Sequence, residues 1–274
     1  MTMTKQALLL RLAQVVSLEQ REQLRQTWNR NVSSPAAFLP HERVGKVSIE
    51  EAEANNKDLG NFSTGFVRRC LAQFATTQGK VRREIERKKI IAVGYGRGYD
   101  SPWIYEAGLA GLATWWIDVS DKALELAWPD IEAQVYASEA RGVSCPSPGV
   151  RLGEIHTVLS DPSSIGLEDL STISAWYFGR TLGCLYKWSA PLVLQEVGQT
   201  LSEDVDPLKE NQIIIVQGLQ DNNQGYVSCT STLHRRTMIQ RNIRKGAGRS
   251  VEIALEDTHP YYDKIVTAMC FKAI

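Results

Sequence analysis

Hydrophobic and polar positions change rhythm near residue 90. Before it the pattern is helical and mixed. Ser17 followed by Gln20 is a capping-box spacing and predicts a helix running through Arg21 to Trp28. Pro35 and Pro40 bracket a loop, and Ser48 with Glu51 predicts a second helix start. Phe66, Val67, Leu71 and Phe74 recur at helical spacing and predict a third helix over Thr64 to Phe74. The charged stretch Lys80 to Lys89 reads as a solvated face ahead of a buried strand.

Beyond residue 90, short apolar runs alternate with helix-compatible segments. Ile90-Ile91-Ala92-Val93 is continuous and β-branched, as a strand covered on both faces must be. Further strand-like runs are Ala113 to Val119, His156 to Leu159, Leu170 to Phe178 and Gln212 to Val216. Between them, Trp103 to Leu112, Lys122 to Ala140, Leu182 to Leu201 and Ser231 to Lys245 suit helices. Strands alternating with helices imply right-handed βαβ units and an α/β, doubly wound, mostly parallel sheet. At the end, Ser250 to Leu255 and Ile265 to Lys272 are separated only by Glu256 to Lys264, too few residues for a crossover helix. They must pair as an antiparallel hairpin around a loop. The change of texture divides the chain into an N-terminal helical cap, 1–79, and an α/β domain, 80–274.

Candidate chemistry begins at the exit of the first apolar run, in Gly94-Tyr95-Gly96-Arg97-Gly98. Alternate glycines between a strand and a helix leave backbone bare, so a ligand can approach near the first amides of the helix. Asp118 closes the second run, 20 residues past Gly98. An acid there is placed to accept from two ribose hydroxyls; the competing use is a helix cap, which Ser120 or Asp121 could supply instead.

Gly94-x-Gly-x-Gly98 after Ile90 to Val93, then Ile117-Asp118-Val119-Ser120 with Ala123-Leu124 behind, resembles the class I S-adenosylmethionine-dependent methyltransferases. The likeness covers roughly 80–274 and implies a seven-stranded sheet ending in an antiparallel hairpin. It implies S-adenosyl-L-methionine as cofactor, with Gly94, Tyr95, Gly96 and Gly98 toward its methionine end. Asp118 would then hold the ribose and Val119 would lie against the adenine. Asp161 matches an acid that takes the adenine amino group, although Asp161-Pro162 also reads as an ordinary turn. The fourth run ends at Trp176-Tyr177-Phe178, which in the family lies beside the methyl group, so Trp176 is a cofactor candidate and Tyr177 a catalytic one. An Asn/Asp-Pro-Pro-Tyr sequence, frequent in methyltransferases of nucleobase amines, is absent here. The implied acceptor is N or O of a small-molecule metabolite.

The segment Asp257 to Asp263 is dense in groups that can hold a proton, which makes His259 the first candidate base or substrate orienter and Tyr261 the second, although a His or Tyr in a hairpin loop is more often surface or packing. Of the seven tryptophans, Trp103 and Trp176 are singled out because both follow strand ends.

Composition narrows the field. The chain has 274 residues, 43% hydrophobic, with 31 basic and 31 acidic side chains. Zero net charge argues against a protein devoted to nucleic acid or an anionic membrane. No apolar run approaches a membrane span; Ala7 to Val16, broken by Arg11, is also a poor signal peptide, though Lys5 and Arg11 ahead of Glu19 leave a mitochondrial presequence open. Five scattered cysteines suit a reducing cytoplasmic compartment and no metal. A basic stretch, Arg235, Arg236, Arg241, Arg244, Lys245 and Arg249, reads as one solvated helix, with an RNA-associated, non-catalytic module as the alternative. An NAD(P)-dependent reductase shares the glycine turn and acid but lacks a Tyr-x-x-x-Lys pair and does not suit the terminal hairpin.

Overall fold

The central strands are mostly apolar because both sheet faces are covered, with Thr114, Ser174 and Gln217 as buried polar exceptions. In the computed structural model the described residues are 18–32, 46–74, 89–94, 103–145, 149–152, 173–179, 181, 190–202, 212–219, 232–262 and 264–274. Among them, strands β1 (Lys89–Val93), β2 (Ala113–Asp118), β3 (Gly149–Leu152), β4 (Ile173–Gly179), β5 (Ile213–Leu219), β6 (Val251–Tyr261) and β7 (Lys264–Ala273) form one sheet. Their order is β3-β2-β1-β4-β5-β7-β6. β1 to β5 are parallel, while β7 runs antiparallel to both β5 and β6.

Side chains alternate across this sheet. Ile91, Val93, Trp176, Phe178, Ile214, Val216, Met269 and Phe271 point to one core, closed by helices α5 (Ala190–Gly198) and α6 (Thr232–Ala247). Ile90, Ala92, Ala175, Tyr177, Ile215 and Cys270 point to the other, closed by α2 (Ile49–Phe74), α3 (Ile104–Leu109) and α4 (Asp121–Glu139). A sheet wound on both faces places its ligand crevice at the carboxyl ends of the strands, where the order reverses. Here that point lies between β1 and β4.

Several elements differ from expectation. The second and third helices are one continuous 26-residue α2. Its predicted start is correct, since Ser48 Oγ accepts from the Glu51 amide at 3.1 Å. Gly60 and Gly65 do not interrupt it, because Phe66, Val67, Cys70 and Leu71 are buried against the sheet, and packing outweighs a propensity cost of about 1 kcal/mol per glycine. The third sheet strand is Gly149–Leu152, paired with Trp115 to Asp118; the run at 156–159 lies outside the described residues. The terminal hairpin is longer than expected. β6 continues through His259 to Tyr261 and turns at Tyr262, whose φ is 57°. The loop read over 256–264 is therefore mostly strand, because β7 supplies a paired partner at each position from Glu256 to Tyr261.

A short helix α1 (Leu18–Asn31) lies against α4. Among the described residues no helix is long and apolar enough to cross a membrane, and no group of three or more metal-ligating side chains occurs.

Candidate functional site

β1 and β2 end side by side. Val93 pairs with Ile117, and the Gly94 amide donates to the Ile117 carbonyl at 2.8 Å, so the chain leaving β1 is tied to the strand that ends at Asp118. Gly94 has φ of 72°, a left-handed conformation that a Cβ disfavours. Its open side is not vacant. A Cβ there would overlap the Thr181 side chain, whose hydroxyl donates to the Val93 carbonyl. The expectation that Gly94 leaves room for a ligand is corrected accordingly: at this residue the bare backbone admits Thr181, which locks the end of β1 to the segment following β4. Tyr95, Gly96 and Gly98 lie outside the described residues, as does Asp161.

Asp118 is buried, at 7% exposure, and its Oδ1 accepts from the Ser120 amide at 2.9 Å. The capping alternative is resolved by geometry. Ser120 is the N-cap of α4, its Oγ accepting from the Ala123 amide at 2.9 Å, so Asp118 is not needed for that purpose. A buried carboxylate at a strand end can accept several hydrogen bonds and suits a ligand that brings hydroxyl donors. Val119, next in the chain, is half-buried at the same edge.

α1 reaches this corner. Asn29 Oδ1 accepts from Ser120 Oγ at 2.7 Å, while Asn29 Nδ2 donates to Asp121, and Arg25 approaches the same carboxylate at 3.3 Å. The Asn29 donor first, then the backbone amide of Asp121 and the Arg25 charge, hold the Asp121 carboxyl below its ordinary value. Neither contact is legible in the sequence, because Asn29 and Ser120 are 91 residues apart and nothing in the α1 sequence points to the end of β2.

On the face toward α2 a second group gathers near the end of β4. Tyr177 pairs with Ala92, one position from the end of β1, and its hydroxyl donates to Gln217 Oε1 at 3.0 Å. Ser63 of α2 lies 3.0 Å from the same oxygen. Trp103 packs edge-on against Tyr177, with ring centres 5.7 Å apart, and tilts against Trp116 at 4.7 Å. Ser63, Trp103, Trp116, Tyr177 and Gln217 are all at most 3% exposed. Gln217 could have been noticed as the polar residue closing an apolar strand run; Ser63 has no such signal.

Other candidates lie elsewhere. Trp176 pairs with Ile91 and Ile214 and stacks on Phe178 in the opposite core, so it sits in the middle of the sheet and not at the strand exit. His259 and Tyr261 are on β6, four strands from β1, about 19 Å at the usual interstrand spacing. His259 Nε2 is 3.1 Å from Asp58 Oδ2, and its ring stacks on Phe62 at 4.9 Å. Tyr261 is buried and its hydroxyl donates to Asn56 Oδ1 at 2.7 Å. Both therefore meet the first half of α2. In the basic stretch, Arg236 pairs with Glu256 and Arg249 donates to the Leu201 carbonyl at 2.6 Å, whereas Arg241, Arg244 and Lys245 are exposed.

No family model matches the chain, and no curated protein sequence matches it. Among solved structures it is similar to the geranyl diphosphate C-methyltransferase of Streptomyces coelicolor A3(2), in complex with Mg2+, geranyl diphosphate and S-adenosyl-L-homocysteine (TM-score 0.49, 11% identity, covering 95% of this chain and 100% of that one). It is also similar to an O-methyltransferase of Bacillus cereus in complex with S-adenosylhomocysteine (0.43, 14%, 94% and 93%). A third is the O-methyltransferase TomG of Streptomyces achromogenes, involved in tomaymycin synthesis, in complex with S-adenosylmethionine (0.45, 12%, 94% and 92%). At such identities and scores these are general likenesses, and the functional reading rests on the residues of this chain.

Proposed function

We propose that the protein is an S-adenosylmethionine-dependent methyltransferase acting on a nitrogen or oxygen of a small molecule. The observation that carries this is Asp118, a buried carboxylate at the end of β2, beside the exit of β1 and next to the point where the strand order reverses. The arrangement favours an adenosine-bearing ligand, because a carboxylate at that corner meets the two hydroxyls of a ribose. Val119 would take the adenine face, Asp161 its amino group, and Tyr95, Gly96 and Gly98 the methionine end.

When bound, the cofactor supplies an electrophilic methyl group on a sulfonium. The chain's task is then to align an acceptor with that carbon and to keep water away. Trp103, Trp116 and Tyr177, all buried beside the β1–β4 crevice, suit the exclusion of water. Tyr177, Gln217 and Ser63 form the polar group best placed to orient an acceptor on the α2 side. A base is required only where the nucleophile arrives protonated, and of the three candidates Tyr177 has the position for it. His259 and Tyr261 serve instead to hold α2 on the terminal hairpin through Asp58 and Asn56. Buried free thiols at Cys70, Cys145 and Cys270 support a reducing, cytoplasmic setting.

Calorimetry with S-adenosylhomocysteine tests the reading. The protein should bind at about hundred-micromolar ligand or below. Asp118→Ala should bind at least tenfold more weakly, since hydrogen bonds to a buried charge contribute about 1.5–3 kcal/mol. Binding unaffected by that substitution contradicts it, and heat with NADH in place of S-adenosylhomocysteine would redirect it to a reductase.

A further inference from the structure

We propose that Asn29, outside the glycine turn and strand end that form the site, is a positioning residue for the Asp118 carboxylate. This rests on the reading of Asp118 as the cofactor's ribose ligand. The chain of contacts is continuous from Asp121 to Asp118. The Asp121 carboxylate only accepts, so the Asn29 amide nitrogen faces it and the Asn29 carbonyl faces Ser120. The Ser120 hydroxyl donates its single proton to that carbonyl at 2.7 Å, leaving its lone pair for the Ala123 amide at 2.9 Å. The Ser120 backbone amide in turn donates to Asp118 Oδ1 at 2.9 Å.

Ser120 has φ −101° and ψ 114°, outside the helix it caps. The direction of its N–H depends on that conformation, which is held by its carbonyl accepting from the Leu124 amide at 3.3 Å and by the two contacts of its hydroxyl. A cap can hold the Ala123 amide alone, but then its hydroxyl proton has no fixed partner and the residue can turn. Asn29 supplies that partner from a helix remote in sequence and thereby fixes the carboxylate two residues upstream. Second contacts of this kind set the orientation of a binding group and are felt as affinity. The N-terminal helix is thus part of the adenosyl site, although its side chains do not line it.

The test uses the full chain with S-adenosylhomocysteine and measures dissociation constants for the wild type, Asp118→Ala, Asn29→Ala and the double variant Asn29→Asp/Asp121→Asn. The double variant exchanges the amide and the carboxylate. The carboxylate introduced on α1 can accept both from the Ser120 hydroxyl and from the amide introduced at the start of α4. The hydroxyl of Ser120 therefore keeps its acceptor, and the relay is restored. Asn29→Ala should weaken binding about fivefold or more and speed exchange of the Ser120 amide proton in the ligand-free protein. The double variant should return both to within about twofold of wild type. A helix that merely stabilises the fold would lose melting temperature in Asn29→Ala without selective exchange at Ser120, and that result overturns the proposal. So does wild-type affinity in Asn29→Ala, or failure of the double variant to recover. Absence of binding by the wild type itself would instead overturn the cofactor reading beneath it.

Discussion

The residues that matter most are two whose sequence signals were of unequal quality. Asp118 was legible because an acid closing a strand, 20 residues past a glycine turn, has few other uses, and its burial with an amide donor is consistent with that. Gly94 was legible as a glycine but for a different reason. The sequence could say that a side chain was unwelcome there; it could not say that Thr181 fills the space, because that contact joins residues 87 positions apart. Gly94→Ala should therefore destabilise the protein by about 2–4 kcal/mol, from the left-handed backbone and from overlap with Thr181. Urea unfolding monitored by tryptophan fluorescence measures this. A loss below about 1 kcal/mol would mean that Thr181 moves aside freely.

At the scale of elements, β1, β2, β4 and β5 follow from apolar runs because these inner strands are covered on both faces, whereas the edge strand β3, Gly149–Leu152, carries no such run. What escaped was the length of β6. Its outer half, Glu256 to Pro260, is mixed in polarity since it is an edge strand with one partner only, so period and burial no longer mark it. Helix crossings also escaped. Gly198 of α5 and Gly246 of α6 allow two backbones to touch, since a Cβ on Gly246 would overlap the Gln195 carbonyl and one on Gly198 that of Ile243. Gly246→Ala should cost about 3 kcal/mol or more, well above a helix-interior gain from alanine, and a rise in melting temperature would refute the close approach. Docking of α1 carries a pH dependence. The Asp121 carboxyl lies below its ordinary 3.8 when Asn29 and Arg25 hold it. Its contribution is thus fully present above about pH 4 and fades as pH falls through the lowered value. Exchange of amide protons in α1 should accelerate below that pH, and in Asp121→Asn the acceleration should disappear.

For the whole molecule, the fold was largely readable and the acceptor end of the site was not. Alternation of elements and a terminal hairpin determine a parallel sheet with one reversed strand, and the crevice follows from strand order. Tyr177 and Gln217 sit on the paired strands β4 and β5, and Ser63 joins them only through the packing of α2 on the sheet. His259 looked like chemistry because a strand at the sheet edge carries polar residues; its partners Asp58 and Phe62 make it a clasp. His259→Gln should lower melting temperature by several degrees at unchanged affinity for S-adenosylhomocysteine, whereas Tyr177→Phe should lower turnover with a methyl acceptor.

The most direct measurement is a crystal structure with S-adenosylhomocysteine bound. The account predicts the ribose hydroxyls on the Asp118 carboxylate, the adenine against Val119, and the sulfur over the carboxyl ends of β1 and β4 on the side of Tyr177. A ligand seated elsewhere, or a ribose with no contact to Asp118, would contradict it.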